Sequence, residues 1–264
     1  MYYYNQNNYG SVKYDNPSTD KIETVATGGC GVCSACMVIN NLAGKELYTV
    51  AQMARFSLSH GARDNSGTNE AKLLDELCKA NKGFSWKRSS SVDELVNHLK
   101  AGGMAICNQG DAYNVFSTAG HFVVADKMDG SNIDVLDPQM SSTKYDKYNR
   151  PQRIVKKTKY GCVVSKAEMA KACQDRTIRY YLVTYKGIKI NNGGSNKVSK
   201  YGNAAMKSAQ KTYADSDLTE KVGAVGKGER VCYLGTGEGR PMIAYQTSKG
   251  YKVGFVRKDS VKRD

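Results

Sequence analysis

The chain has 264 residues, 40% of them hydrophobic, and a formal charge of +14 from 39 Lys and Arg against 25 Asp and Glu. That length holds one large domain with a small one, or two of medium size, and the positive excess favours a polyanionic partner: nucleic acid, an acidic membrane face or an anionic wall polymer. No run approaches the roughly 18 apolar residues of a membrane span, the N-terminus MYYYNQNNYGSVKYDN lacks the basic head and apolar core of a secretory signal, and eight cysteines are too sparse for a disulfide framework. The expectation is free thiols and synthesis in the cytoplasm.

In chain order, residues 29–44 (GCGVCSACMVINNLAG) read as a helix, opened by the Gly28-Gly29 pair and stopped by Gly44. LYTVAQMARFSLSHG and TNEAKLLDELCKANKG predict two more, the second with Leu73, Leu74 and Leu77 on one face. SVDELVNHLKAGG predicts a further helix, capped by Ser91 with Glu94 as its capping-box partner. To about residue 100 the chain therefore reads as mainly helical. GMAIC, HFVVADKM, NIDVLDP, YGCVV and RYYLVTY then predict short strands between turn signals, with SKAEMAKACQD a short helix among them. A helical half followed by an antiparallel half is an α+β pattern. The stretch 188–204 has the Gly, Asn, Ser and Lys of a linker. Residues 205–264 alternate strand-like runs with glycine turns, which predicts a small all-β module.

The chemistry concentrates at Cys30, Cys33 and Cys36, spaced three apart at the start of the first helix. An iron–sulfur set needs a fourth Cys soon after, where MVINN stands instead. A zinc site needs a second ligand pair at metal spacing, which neither His60, His98 nor the other cysteines supply. A redox pair belongs at a strand-to-helix junction, and NPSTDKIETVATGG holds no clear strand. A nucleophile has a physical basis. Cys30, between glycines, falls in the first helical turn, where unpaired N–H groups and the helix dipole favour a thiolate. A thiol pKa of about 8.5 drops by several units in such a place beside an imidazole. Cys33 and Cys36 lie deeper, where Cys packs as a small hydrophobe.

A thiol nucleophile needs a base and an orienting group. His60 reads as a helix C-cap and His98 as part of a solvated helix face. His121 directly follows Gly120 at the entrance to an apolar strand, a rigid place for a catalytic ring. Asp137 closes the next strand, so a hairpin across MDGSN brings both to one end of a sheet, in position for an Nδ1–H to carboxylate bond. Turn chemistry before Pro138 accounts for Asp137 as well.

The runs GGCGVCSACMVINNL and GHFVVADKMDGSNIDVLDP resemble the papain-like peptidases of the bacteriocin-leader-processing type, over roughly residues 1–185. The resemblance implies Cys30 as nucleophile, His121 as base and Asp137 as orienter, with Gln6 of YYYNQNNYG in the oxyanion hole and no metal or other cofactor. Val32-Cys33 stands where that family has Pro-Thr. TEKVGAVGKGERVCYLGTG and YKVGFVRKDSVK are similar to a bacterial SH3-type domain, with Phe255 where a Trp is usual. Together they imply a papain-like domain at 1–187, a linker at 188–204 and an SH3-like barrel at 205–264, the layout of a phage endolysin.

By that resemblance the protein hydrolyses amide bonds of bacterial peptidoglycan, as an endopeptidase rather than an amidase. Its wall-binding module, net +7 over residues 191–264, suits anionic polymers. It would reach the wall from the host cytoplasm after a holin opens the membrane, with no nucleic-acid partner. Two rivals stand beside this reading. One is a double-glycine leader peptidase, which normally accompanies a transporter. The other is a non-catalytic basic protein that binds nucleic acid, for which no aromatic-plus-basic signature is present.

Overall fold

The computed structural model describes residues 1–186 and 204–263, apart from 17, 18, 20, 66, 215, 238, 248 and 249. The expected linker therefore lies outside the described residues except for Ala204. The chain divides into two compact units, Met1–Cys78 with Gly83–Lys189, and Lys79–Lys82 with Ile190–Asp264.

The first unit is α+β, as its sequence pattern predicts. Helices α1 (Val25–Gly28), α2 (Cys30–Ala43) and α3 (Val50–Ser59) lead to a two-stranded ribbon of β1 (Arg63–Asp64) and β2 (Gly67–Thr68) and then to α4 (Glu70–Ala80). After them come β3 (Phe84–Ser89), α5 (Val92–Lys100), β4 (Met104–Gln109), β5 (His121–Asp129), β6 (Asn132–Leu136), β7 (Lys156–Lys157), β8 (Gly161–Val164), α6 (Lys166–Ala172) and β9 (Tyr180–Tyr185). Seven strands form one antiparallel sheet in the order β3-β9-β4-β5-β6-β8-β7.

Both faces of this sheet are covered. Ile106, Val124 and Val183 pack with Met37, Leu73 and Leu77 on one side. Ala105, Cys107, Val123 and Val135 pack with Leu95, Leu99 and Met169 on the other. Two-sided burial explains why the central strands read as nearly continuous apolar runs. Leu73, Leu74 and Leu77 are all fully buried, as the spacing predicts.

Three local expectations need correction. Strand β3 lies inside the half read as helical, because FSWKRS is an edge strand whose polar residues hide its alternation. His98 is not on a solvated face: its Nε2 meets the carbonyl oxygens of Met104 and Val183 at 3.1 and 2.9 Å, tying α5 to the sheet. Ser91 does cap α5 through the Glu94 N–H, but its own N–H bonds Ser89 Oγ at 3.0 Å, which takes the place of a capping-box glutamate.

The second unit contains β10 (Ala204–Met206), β11 (Gln210–Tyr213), β12 (Lys221–Val225), β13 (Arg230–Gly237), β14 (Arg240–Thr247), β15 (Gly250–Phe255) and β16 (Val261–Arg263). Among the described residues it has no helix. Met206, Val231, Ile243, Tyr245 and Val256 make its core. Its pairings run β12-β11-β15-β14-β13-β10-β16. The end strands β12 and β16 do not pair with each other among the described residues, so the expected closed barrel is not what the pairings draw. Strand β16 has three residues, all committed to β10.

Candidate active site

Cys30 is the first residue of α2. Gly29 ends α1 by bonding the Val25 carbonyl at 2.8 Å and opens α2 by accepting the Cys33 N–H at 2.9 Å. A Cβ on Gly29 would sit 2.5 Å from Val25 O, so close packing of the two helices requires glycine there. The break sets the half-buried thiol at a helix N-terminus with free N–H groups. Burial pushes the Cys30 thiol up, but a hydrogen bond and the charge of His121, with the backbone N–H groups of Phe122 and Gly31, hold it below its ordinary value. Cys33 and Cys36 are fully buried, and burial pushes both thiols up.

His121 opens β5, opposite Gln109 at the end of β4. The preceding loop is built around the fully buried Gln109 side chain. Its Oε1 accepts from the N–H groups of Val115, Phe116 and Ser117 at 2.5–3.2 Å. Its Nε2 meets the carbonyl oxygens of Gly110, Ser117 and Ala119 at 3.0–3.1 Å. Backbone groups that would otherwise be unpaired in the interior are thereby satisfied.

Asp137 follows β6 and is wholly buried. Its Oδ1 accepts from His121 Nε2 at 2.9 Å and from the Gln139 N–H at 2.9 Å. The same oxygen thus serves both the His121 ring and the turn before Gln139. The ring nitrogen differs from the expected one: Nε2, not Nδ1, faces the carboxylate. Cys30 and His121 shift each other's titration through a shared hydrogen bond, and with Nε2 on the carboxylate the ring nitrogen left is Nδ1. A ring clasped between helix start and sheet must present one nitrogen to each.

Asp137 Oδ2 accepts from the Tyr145 hydroxyl at 2.6 Å and from Lys144 Nζ at 2.7 Å. Burial pushes the Asp137 carboxyl up, but Lys144 and His121 outweigh it and hold it well below the usual carboxylate range. His121 is pulled down by burial and by Lys144, yet Asp137 and Cys30 leave it raised. The two shifts run in the directions that a thiolate–imidazolium pair requires.

Gln6 lies in a 3-10 turn and is buried. Its backbone N–H bonds Pro138 O at 2.6 Å and its Nε2 bonds Ala26 O at 2.9 Å, four residues before Cys30. The same segment ties Tyr3 OH to Asp137 O at 2.8 Å and Asn5 Nδ2 to Met140 O at 2.6 Å. At its other end the Tyr2 N–H bonds Asn41 Oδ1 in α2 at 2.7 Å. Residues 2–6 therefore join the helix of Cys30 to the loop that carries Asp137.

The sequence reading missed Lys144, Tyr145 and Glu70. Glu70 is 1% exposed, and neither of its carboxylate oxygens has a partner among the described residues. A Cβ on Gly31 would stand 2.6 Å from Glu70 Oε2, which places this carboxyl against the residue after Cys30.

No family model matches the chain, and no curated protein is similar to it. Two solved structures of Ly7917 are similar. One is described as Ly7917 with the hydrolyzing product of MDP, at 17% identity over 68% of this chain and 65% of that one, with a TM-score of 0.22. The other is 16% identical over 70% and 66% of the two chains, with a TM-score of 0.21. This chain thus spans about two thirds of the length of Ly7917, and likeness at that level carries no argument for fold or chemistry. No helix among the described residues is long and apolar enough to cross a membrane.

Proposed function

We propose that this chain is a cysteine hydrolase that cleaves amide bonds in bacterial cell-wall peptides, its first unit a papain-like domain and its second an SH3-like wall-binding module. The observation that supports the reading most is the Cys30–His121–Asp137 arrangement, with the thiol at a helix start and His121 Nε2 2.9 Å from Asp137. Cell wall as the substrate rests on the motif resemblance and on the +14 charge, which suits anionic polymers.

In this reading the Cys30 thiolate attacks the carbonyl carbon. The oxyanion is received by the Cys30 N–H and by the Gln6 Nε2 hydrogen not used on Ala26. The His121 Nδ1 proton passes to the leaving nitrogen as the C–N bond breaks, giving a thioester. Water then attacks, losing a proton to Nδ1. The acid is released, and the thiolate leaves beside an imidazolium as at the start. Nucleophile and proton carrier are both side chains, so the cycle needs no metal.

Purified walls treated with the full chain should release muropeptides detectable by mass spectrometry, unaffected by EDTA and abolished by iodoacetamide. Cys30→Ala should lower release on the order of a thousandfold or more. Cys33→Ala and Cys36→Ala should stay within a few-fold of wild type and lose only packing. An active Cys30→Ala beside an inactive Cys33→Ala would move the nucleophile by one helical turn.

A further inference from the structure

Lys144 opens a short 3-10 turn seven residues after Asp137, and its side chain is 7% exposed. A lysine so enclosed needs a counter-charge. It finds one in Asp137 Oδ2 at 2.7 Å. The same carboxylate serves His121 through Oδ1, and Lys144 Nζ lies 3.5 Å from His121 Nε2.

With Asp137 ionised, Nε2 carries its hydrogen toward Oδ1. Lys144 and His121 are then two donors facing one another, so their contact is between a cation and an N–H. Around Lys144, among the described residues, stand Asp137, His121 and Cys30, with Tyr145 on Asp137, Cys162 behind Tyr145, and Arg150, whose guanidinium bonds the Lys144 carbonyl at 2.9 Å. Burial pulls the Lys144 ammonium below the ordinary lysine range and Asp137 holds it up, so one carboxylate meets one cation before His121 takes a proton. An imidazolium there is an extra positive charge, and the Cys30 thiolate is the anion left to balance it.

We propose that Lys144 is a positioning residue that neutralises Asp137 and so makes the charge of His121 depend on that of Cys30. While sulfur is a thiolate, the imidazolium is stable. Once sulfur has added to a carbonyl, Lys144 favours departure of the Nδ1 proton, which bonds to the leaving nitrogen as the C–N electron pair moves onto it. The inference rests on Cys30 and His121 being the reactive pair, and needs no particular substrate.

The test follows His121 by NMR of its ring nitrogens, in the full chain, before and after Cys30 is alkylated with iodoacetamide. Unmodified wild type should hold a protonated His121 at neutral pH. Alkylated wild type should hold it neutral, with a pKa below the ordinary value of about 6.5. In alkylated Lys144→Met the pKa should rise by about one unit or more, while Lys144→Arg should follow wild type. An alkylated wild type whose His121 stays protonated at neutral pH overturns the proposal, and that arm stands even if Lys144→Met does not fold. So does a folded, alkylated Lys144→Met whose pKa equals that of wild type. If iodoacetamide leaves Cys30 unlabelled while the half-buried Cys78 or Cys232 reacts, or unmodified His121 is neutral, the reactive-pair reading itself has failed. If Cys30 is the cysteine labelled, the unmodified chain cuts walls and only the Lys144→Met shift is missing, the failure belongs to Lys144 alone.

Discussion

Glu70 and Asp137 are both buried carboxyls near one thiol, and their surroundings drive them in opposite directions. Asp137 has four donors, so its pKa is held down. Its contribution to stability is complete above the unfolded carboxylate pKa of about 3.9 and is lost as pH falls toward the folded value. Burial, then the Cys30 charge, pushes Glu70 well above the usual range. Its folded form keeps a proton that the unfolded chain releases near pH 4.3, so its contribution is present below that pH and lost as pH rises toward the folded value. Glu70→Gln should therefore raise the melting temperature at neutral pH and leave it nearly unchanged at pH 4. The gain is at most roughly 1.4 kcal/mol for each pH unit above about 4.3. Thermal melts by circular dichroism across that range are the check, and parallel curves for the two proteins would mean Glu70 is not carried as the acid. Cys30, His121 and Asp137 could be singled out in the sequence because their residue types stand beside glycine or a turn. Glu70 opens a helix in TNEAKLL and Lys144 sits in SSTKYDKYNR, contexts that describe ordinary surface residues. Their burial comes from tertiary packing that local sequence does not encode.

At the scale of elements, most helices were legible from their periodicity and the central strands from short apolar runs between turn signals. Strand β3 was not, since an edge strand with one covered face carries too few apolar residues to show its period. Nor was the loop before His121, where a single amide replaces the backbone pairing that a regular element would supply. Gln109→Leu keeps the volume and removes every one of those bonds, leaving the N–H groups of Val115, Phe116 and Ser117 buried without their acceptor. The expected cost is on the order of 3 kcal/mol or more, read in urea unfolding. The Cys30 alkylation rate at neutral pH should fall with it, because a displaced His121 no longer supports the thiolate. A variant that melts like wild type and alkylates at the wild-type rate would show that β5 alone places the ring.

For the whole molecule, the sequence changes composition after residue 187, and the two compact units divide at Lys189 and Ile190, with Lys79–Lys82 grouped with the second. A Gly, Asn and Ser stretch separates two different textures in the sequence, whereas the strand order of the second unit's described residues was not legible, since glycine turns look alike in barrels and open sheets. If the second unit is the wall-binding module, a chain ending at residue 187 should cut soluble wall fragments at a rate within a few-fold of the full chain. It should lyse intact cells more slowly, the loss being one of effective concentration. An inactive or unfolded truncation would make the second unit part of the catalytic fold. A different division runs through the first unit itself. Residues 2–6 touch both the helix of Cys30 and the loop of Asp137, and Gln6 comes from the same segment. A chain beginning at residue 10 would keep Cys30, His121 and Asp137 but lose the splint that holds their two halves in register. A synthetic peptide of residues 1–9 should then act in trans, and hydrolysis should saturate with its concentration. Part of the fold would have become a dissociable activator, with an affinity of its own to measure.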